Sequence, residues 1–382
     1  MVPKYVPHPN VISERVVVAV FRRNFVTKYL GWAAVLGFAV AAGAQTQPYA
    51  VFSPEMSGQM KALAGTPAAQ KTVRAADAAL SVTPAPLAHV HTTHTLPGQE
   101  IRDKSIVAER DWDRMLNLGL AYRLTGNHKY LDAEARFLTA WTAVYTPDFL
   151  PIDETRMDYI LFAFDLTRSD LPQPLQVKTL ELFRTMATGY LKDIEKFSCG
   201  KDIANWQSHR IKLATLAAYE LGDPALIARA KKFYQEQVKC NVRTDGSVED
   251  FYKRDALHYV VYDLEPLLTT ALAAKIHGED WFHWKSPTGS SVAIAVDWLL
   301  PYTSGAKTHE EFVHSSVPFD AERDKAGEKG YSGPWDAKAG VPAVALAASL
   351  DAKYAEPSRQ LNARMGVQSP AWIQLLASLK LQ

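Results

Sequence analysis

The sequence predicts an all-α protein built from stacked helix hairpins, and three observations predict this class. Apolar residues recur at helical spacing through most of the chain after residue 105. Strand signals are scarce. A short pattern that ends one helix and starts the next occurs at 121–127 and 218–223, and more loosely at 273–279. Hairpins repeated in this way stack into a solenoid or close into an (α/α) toroid.

The apolar spacing, together with Gly, Pro and Asn breaks, predicts the individual helices in order. Asp153 is the expected N-cap of the third, Ala62–Leu80 can hold a further helix, and Ser304–Pro334 is polar and Gly-rich, as in a long loop over one face. The predicted helices are Ile106–Thr125, His128–Tyr145, Asp153–Arg168, Leu175–Phe197, Ala204–Leu221, Ala225–Val238, Arg254–His277, Ser290–Tyr302, Val341–Tyr354 and Ser369–Leu379.

The N-terminus has the pattern of an export signal. Basic residues precede an apolar run, Tyr29–Ala42, which ends in the small residues Ala42-Gly-Ala44. The run is shorter than the roughly 20 residues of a membrane span, so an uncleaved anchor is the lesser alternative. We therefore predict a signal peptide at 1–44, an N-terminal extension or linker at 45–85 and a toroid domain at 86–382.

Composition is that of a globular protein, with 382 residues, 47% hydrophobic and 22% charged. The formal net charge of +1 gives no reason to expect nucleic acid as a partner. Removing 1–44 removes more basic than acidic residues, so a polyanion would need a local basic cleft. Cys199 and Cys240 could pair after export or stay as free thiols, and no C-x-x-C motif points to a thiol metal or redox site.

The stretch 250–266 carries the strongest candidate site. Arg254, His258 and Tyr262 follow the spacing i, i+4, i+8, which on a helix puts them in one row. An apolar stripe lies beside this row: Leu257, Val261, Leu264 and Leu268. A guanidinium can hold a carboxylate, while an imidazole and a phenol can move protons, so the trio suits an acidic substrate. The alternative is that these are half-buried packing residues.

A second candidate stretch is 201–212, at the start of a predicted helix. Asn205 and His209 form one i, i+4 pair, and Trp206 and Arg210 form another. Helix N-termini favour anions, so an amide and nearby cations could neutralise a carboxylate here. Alternatively, Asn205 caps the helix and His209 is satisfied in the core.

A histidine-rich segment precedes the first long helix. His89, His91 and His94 fall within six residues, but no acidic or thiol ligand is adjacent and the spacing fits no standard zinc motif. We therefore predict a loop that lines a cleft with imidazole donors, and neither a metal nor another cofactor.

Several motifs in order resemble the alginate lyase domain family. They are Asn205-Trp-Gln-Ser-His-Arg, Asp245-Gly-Ser-Val, Ala256-Leu-His-Tyr and Tyr262-Asp-Leu-Glu-Pro, with Leu96-Pro-Gly, Pro151-Ile-Asp-Glu-Thr-Arg and Asp297-Trp-Leu-Leu-Pro-Tyr around them. The resemblance spans about residues 85–305. It implies an incomplete (α/α) toroid, a periplasmic location and β-elimination of an anionic polysaccharide made of uronic acids, with no stable membrane partner after signal cleavage.

The resemblance also implies roles for particular residues. The mannuronate lyase branch uses an Asn-His pair, an Arg and a Tyr, which match Asn205, Arg254 and Tyr262. Trp206 stands where that branch has His, so His209 or His258 takes the histidine role. Further contacts to the substrate are expected from Trp206, Arg210, Tyr259, His91 and His94.

The implied chemistry is removal of the C5 proton and expulsion of the C4 oxygen. Asn205, Arg254 and His209 would neutralise the carboxylate. Tyr262 would serve as base, acid or both, with Arg254 and His258 lowering its pKa for the base role, and His258 is the alternative base.

Two other functions remain open at this point. A glycoside hydrolase on the same toroid would use two carboxyl groups, and the candidates are Asp153, Glu154, Asp158, Glu249 and Asp250. A non-catalytic exopolysaccharide-binding protein of the periplasm is the other alternative.

Overall fold

Helices make up almost all of the regular structure in this computed structural model, which describes residues 47–197, 199 and 204–379. In those ranges the only β-type pairings are two isolated bridges, so the prediction of an all-α chain is confirmed. The helices are α1 (Pro54–Gln59), α2 (Pro67–Ala79), α3 (Glu100–Thr125), α4 (His128–Val144), α5 (Asp158–Thr167), α6 (Gln173–Ile194), α7 (Asn205–Leu221), α8 (Pro224–Asn241), α9 (Glu249–Arg254), α10 (Leu257–Ile276), α11 (Val292–Ser304), α12 (Pro318–Lys325), α13 (Val341–Leu350), α14 (Ala355–Met365) and α15 (Ala371–Ala377).

The helices form an inner and an outer layer around a shared hydrophobic core. Along the inner layer, α3, α5, α7, α10 and α13 each pack against the next. Nearly every residue of α7 is buried, whereas the outer helices α4, α6 and α8 each expose a polar face. Because α15 packs against both α13 and α2, and α2 packs against α3, the inner layer returns towards its start. This is the architecture of an (α/α) toroid.

The repeated sequence pattern marks the links between inner and outer helices, as predicted. Gly126 ends α3 and Gly222 ends α7, each in the left-handed conformation with φ of 71° and 60°. Glycine adopts this conformation without a steric penalty and so stops the helix. The next residue then caps the following helix, since the side chain of Asn127 accepts from the Lys129 N–H and that of Asp223 from the Leu226 N–H.

The predicted helix Arg254–His277 is wrong at its start. α9 ends at Arg254, Asp255 has a φ of 49°, and α10 begins at Leu257. Aspartate tolerates the left-handed region, and here its carbonyl accepts from the Phe312 N–H at 2.8 Å while its carboxylate accepts from the His314 N–H at 2.9 Å. These tertiary hydrogen bonds offset the cost of breaking the helix.

One other prediction needs correction, and a further helix was not predicted. The predicted loop Ser304–Pro334 contains α12, which starts with Pro318 at its first position, where proline is favoured. Residues 310–334, here called the strap, are anchored by Glu311, whose carboxylate accepts from the Leu257 and His258 N–H groups. Helix α14 has no counterpart among the predicted helices.

The predicted signal peptide at 1–44 lies outside the described residues. Residues 47–379 belong to one compact unit, in which α2 packs against α3, and the predicted boundary at residue 86 stays a prediction. Cys199 and Cys240 form a disulfide with Cα atoms 5.3 Å apart. None of the described helices combines the length and apolar character needed to cross a membrane.

Candidate active site

A cavity of about 600 Å³ lies where the starts of α7 and α10 meet the strap and the loop before α3. Its volume is in the range of small-molecule and oligosaccharide sites. The structure brings most of the predicted site residues to its wall: His94, Asn205, Trp206, His209, Arg254, His258, Tyr259 and Tyr262.

The prediction that α10 carries a buried apolar stripe beside a row of polar side chains is confirmed for His258 and Tyr262. Its apolar stripe is buried: Leu257, Val261, Leu264 and Leu268. His258 and Tyr262 lie beside the stripe and line the cavity, with ring centroids 6.4 Å apart. The break at Asp255 therefore removes Arg254 from the helix without removing it from the cavity.

Tyr262 has a second imidazole as a close neighbour. The His209 ring, from α7, lies 4.3 Å from the Tyr262 ring, measured between centroids. The packing of α7 against α10 in the inner layer makes this contact, which spacing along the sequence does not reveal. The site thus joins one phenol to imidazoles from two helices.

The surroundings of His209 favour one protonation state. Nδ1 lies 2.6 Å from Thr155 Oγ1, and Lys212 Nζ donates to the same oxygen at 3.0 Å. With Lys212 donating to that oxygen, the Thr155 hydroxyl is free to donate to Nδ1, and this arrangement keeps the ring proton on Nε2. Burial and the Lys212 charge hold the pKa of His209 well below its usual value, so the ring is neutral. Nε2 is buried near the Tyr262 backbone.

Burial shifts the pKa values of both His258 and Tyr262, and the shift of Tyr262 is opposite to the one we expected. Burial raises the pKa of Tyr262, so the prediction that Arg254 and His258 lower it is wrong. The charge of Arg323 acts against this rise. Burial, with the charges of Arg323 and Arg254, lowers the pKa of His258 to about 4. At neutral pH Tyr262 is therefore protonated and His258 is neutral.

Asn205 is the first residue of α7 rather than its cap, since Ala204 occupies the N-cap position. Its backbone N–H donates to Asp250 Oδ2 at 2.7 Å, and its side-chain amide donates to both oxygens of the same carboxylate at 3.0 Å. Asn205 Oδ1 is buried with no hydrogen-bond partner among the described residues. Asp250 therefore fixes the orientation of an amide that faces the cavity.

Arg254 lines the cavity with its guanidinium already engaged. Nη1 pairs with Asp320 at 2.5 Å, Nε lies 3.8 Å from Asp250, and the guanidinium lies over the Tyr259 ring at 3.8 Å. A substrate carboxylate would compete with these partners for the guanidinium. Direct binding of the substrate carboxylate by Arg254 stays a prediction.

Two histidines of the loop before α3 have different surroundings. His94 lies at the cavity between the rings of Trp206 and Phe319, at 6.0 and 5.5 Å. His91 is not on the cavity wall and pairs with Asp153 at 3.1 Å. The expectation that Asp153 caps a helix is wrong, because its carboxylate is occupied by this loop, accepting from His91, Thr92 and Thr93.

Arg210 is likewise not on the cavity wall. Its guanidinium lies over the Phe197 ring at 4.3 Å and pairs with Asp193 at 3.4 Å. It supports the position of Trp206, whose ring lies 5.7 Å from the guanidinium. Among the described residues no group of His, Cys, Asp and Glu side chains is arranged to hold a metal ion.

Sequence reasoning missed several cavity residues: Arg102, Glu109, Glu265, Phe319, Arg323, Glu328 and Tyr331. Most lie on the strap, whose polar, Gly-rich composition has no periodicity to single them out. Glu265 lies within a quoted motif, and burial raises the pKa of Glu109 and of Glu265 to about 7. Only the fold shows that these groups face the same cavity as Tyr262.

Comparison with known proteins matches residues 60–309 to the family model described as alginate lyase. No curated protein matches the sequence. Among solved structures, an alginate lyase from Bacteroides ovatus aligns with a TM-score of 0.63 and 17% identity, covering 87% of this chain and 99% of that one.

Alginate lyase A1-III from Sphingomonas species A1 aligns with a TM-score of 0.54 and 17% identity, covering 87% of this chain and 98% of that one. A variant of A1-III complexed with a tetrasaccharide aligns with a TM-score of 0.52 and 18% identity, over 67% of this chain and 80% of that one. These likenesses support the toroid fold described above.

Proposed function

This chain belongs to the alginate lyase family and is a polysaccharide lyase, and we propose that it cleaves a 4-linked uronic acid polymer, such as alginate or polymannuronate, by β-elimination. The observation that carries this proposal is the grouping of a protonated Tyr262 with two neutral imidazoles in one cavity. A tetrasaccharide bound to a variant of the related A1-III is consistent with a saccharide in this cavity.

The first task of such an enzyme is to make the C5 proton more acidic. That requires hydrogen-bond donors at the carboxylate attached to C5, since negative charge develops there when the proton leaves. In our proposal the donors are the ring N–H of His209 and the one side-chain N–H of Asn205 that is not directed at Asp250. His209 is held by Thr155 and Asn205 by Asp250, so neither needs to reorganise during the reaction.

The second task is to move two protons in opposite directions. Neutral His258 takes the proton from C5, and the electron pair of that C–H bond forms the double bond between C4 and C5. The bond from C4 to the glycosidic oxygen breaks, and that oxygen takes the Tyr262 proton. The low pKa of His258 and the raised pKa of Tyr262 put each group in the required form at neutral pH. Exchange with solvent then restores both groups.

The carboxylates suggested for a hydrolase are mostly engaged elsewhere. Glu154 is buried and accepts from Tyr145 and Tyr190, while Glu249 pairs with Arg243. Asp153 is held by the loop at His91, Asp158 by Lys212 and Asp250 by Asn205. Of the five, only Asp158 lines the cavity, so they offer no pair to flank a glycosidic bond.

We also propose that the enzyme acts in the periplasm after removal of residues 1–44. The signal-like pattern at the N-terminus supports this location. The disulfide between Cys199 and Cys240 supports it too, because disulfides persist in oxidising compartments.

The function is tested by the ultraviolet absorbance of the conjugated double bond that elimination creates. We expect a rise when the exported form is incubated with one of polymannuronate, polyguluronate, polyglucuronate or pectate. Tyr262→Phe should abolish the rise while the polymer still binds, because only the proton donor is lost. Tyr252→Phe, at an exposed tyrosine, is the matched control. No rise on any of the four polymers, with folded protein, would contradict the proposed function.

A further inference from the structure

A disulfide ties the chain just before α7 to the outer helix α8. It joins Cys199, which lies shortly before the first residue of α7, to Cys240 near the end of α8. The first two residues of α7, Asn205 and Trp206, both line the cavity of the candidate active site. The sequence contains no other cysteine, so this bond cannot exchange with another thiol of the same molecule. The cross-link therefore lies close in sequence to two of the predicted site residues.

On the Cys199 side, the bond is connected to Trp206 through Arg210. Phe197 lies just before Cys199, and the Arg210 guanidinium lies over its ring at 4.3 Å. The same guanidinium pairs with Asp193 at 3.4 Å and lies 5.7 Å from the centre of the Trp206 ring. Because a stacked guanidinium follows the ring that it contacts, the position of Trp206 depends on the chain segment that Cys199 fixes.

On the Cys240 side, the same helix α8 also holds the start of α7 through hydrogen bonds. Gln237, one helical turn before Cys240, is buried, and its Nε2 donates to Ser208 Oγ at 3.0 Å and to the Ala204 carbonyl at 3.3 Å. Ala204 is the N-cap of α7, and Ser208 is the neighbour of His209. The disulfide and these hydrogen bonds therefore fix the same end of α7 to α8.

The disulfide can be reached by a reagent from solvent. Cys199 is exposed, whereas Cys240 is half-buried. A second cavity, of about 300 Å³, lies beside the bond, and its wall includes both cysteines together with Phe197 and Phe233. Thiol–disulfide exchange requires that an attacking thiolate reach one of the two sulfurs, and exposed disulfides are the ones that are commonly labile. The exposed position of Cys199 allows this approach.

We propose that this disulfide is a reducible positioning link, which holds Asn205 and Trp206 in the cavity wall and releases the start of α7 when a dithiol reduces it. The inference rests on the proposed function, because the activity that it regulates is cleavage of a polyuronate. One thiolate of the dithiol attacks the Cys199 sulfur, the S–S bond breaks, and Cys240 leaves as a thiolate. The second thiol then displaces Cys199, so the dithiol is oxidised to a disulfide and its two protons end on the cysteines.

The test treats the exported form with dithiothreitol and measures free thiols per chain beside kcat and KM on the polyuronate that the oxidised wild type cleaves. Circular dichroism confirms that the reduced protein is folded at the assay temperature. As both thiols appear, kcat should fall by about tenfold or more, because Asn205 is no longer held in place for the developing charge. KM should rise through Trp206, and reoxidation should restore both values. The double variant Cys199→Ser with Cys240→Ser should have the low kcat with or without dithiothreitol.

Two free thiols per folded chain with unchanged kcat and KM would overturn the inference, because the bond would then only stabilise the fold. If the reduced protein unfolds, Phe197→Ala decides the matter. This variant keeps the disulfide but removes the ring under Arg210, so kcat/KM should fall, whereas Phe233→Ala, in the same small cavity, should leave it unchanged. An unchanged kcat/KM in Phe197→Ala would overturn the inference. Failure of the proposed function is separate, because in that case the oxidised wild type itself gives no absorbance.

Discussion

His258 and Tyr262 are one helical turn apart, yet their environments move their pKa values away from each other. Burial disfavours the charged form of each, which is the cation of histidine and the anion of tyrosine. A neutral base and a protonated acid thus coexist in one cavity at neutral pH. Enzymes commonly divide acid and base roles between neighbouring groups in this manner.

This arrangement predicts the acidic side of the pH profile. His258 must be neutral to accept the C5 proton, so kcat/KM should fall as the pH is lowered through about 4. After burial, the charge of Arg323 is the next cause of this low pKa. Arg323→Gln should therefore move the fall in kcat/KM to higher pH, whereas His283→Gln, at a histidine paired with Asp280 and Asp351, should not. A profile that is identical in all three proteins would contradict the base role of His258.

At the scale of elements, a single buried carboxylate connects α9 to the start of α7. Asp250 is 1% exposed, holds the Asn205 amide and lies 3.8 Å from Arg254 Nε. We expect Asp250→Asn to lower kcat by about tenfold to a hundredfold, because the Asn205 amide loses its fixed orientation. KM should change less.

Asp320→Asn is the matched control for that variant. Asp320 pairs with Arg254 Nη1 and accepts from the Ser315 hydroxyl, whereas the Asn205 amide is held by Asp250, so Asp320→Asn disturbs Arg254 and leaves the Asn205 amide in place. If the two variants lose kcat equally, the effect comes through Arg254, and the role given to Asn205 is wrong. Purified proteins are compared by initial absorbance rates at saturating polymer.

The elements that could be predicted are those whose signals are local. The ends of α3 and α7 follow from Gly126 and Gly222, and the buried face of α10 follows from its apolar stripe. The break at Asp255 could not be predicted, because residues of the strap, about 60 positions along the chain, provide the hydrogen bonds that stabilise it.

The same distinction applies to the site. Asn205, His209, His258 and Tyr262 could be proposed because each lies in a short motif. Their mutual contacts, and the position of Arg323, depend on how α7, α10 and the strap pack together. Sequence spacing describes one element at a time, so the second imidazole beside Tyr262 and the presence of Arg323 in the same cavity appear only in the folded chain.

At the scale of the whole molecule, buried carboxyl groups make stability depend on pH. Glu134 of α4 is 0% exposed, and burial raises its pKa to about 8. Between the usual glutamate pKa and about 8, the folded chain keeps a proton that the unfolded chain has lost. The free energy of unfolding should therefore decrease as the pH rises through this window.

Glu134→Gln should remove part of that decrease. Relative to the wild type, we expect the variant to be more stable at about pH 9 than at about pH 5, with a difference on the order of a few kcal/mol. Glu181→Gln, at an exposed position of α6, should leave the pH dependence unchanged. Denaturant unfolding at the two pH values measures the difference. Parallel curves for Glu134→Gln and the wild type would show that Glu134 keeps its usual pKa in the fold.

The central claim is that this toroid breaks its polymer by elimination, and the masses of the products test it most directly. Elimination adds no water, so the fragment that carries the new double bond is lighter by one water than the matching saturated fragment. We predict that mass spectrometry of a polyuronate digest will show such unsaturated fragments with the wild type and none with Tyr262→Phe. A digest that contains only saturated fragments, each with one water added at the cleaved bond, would identify a hydrolase and contradict the account.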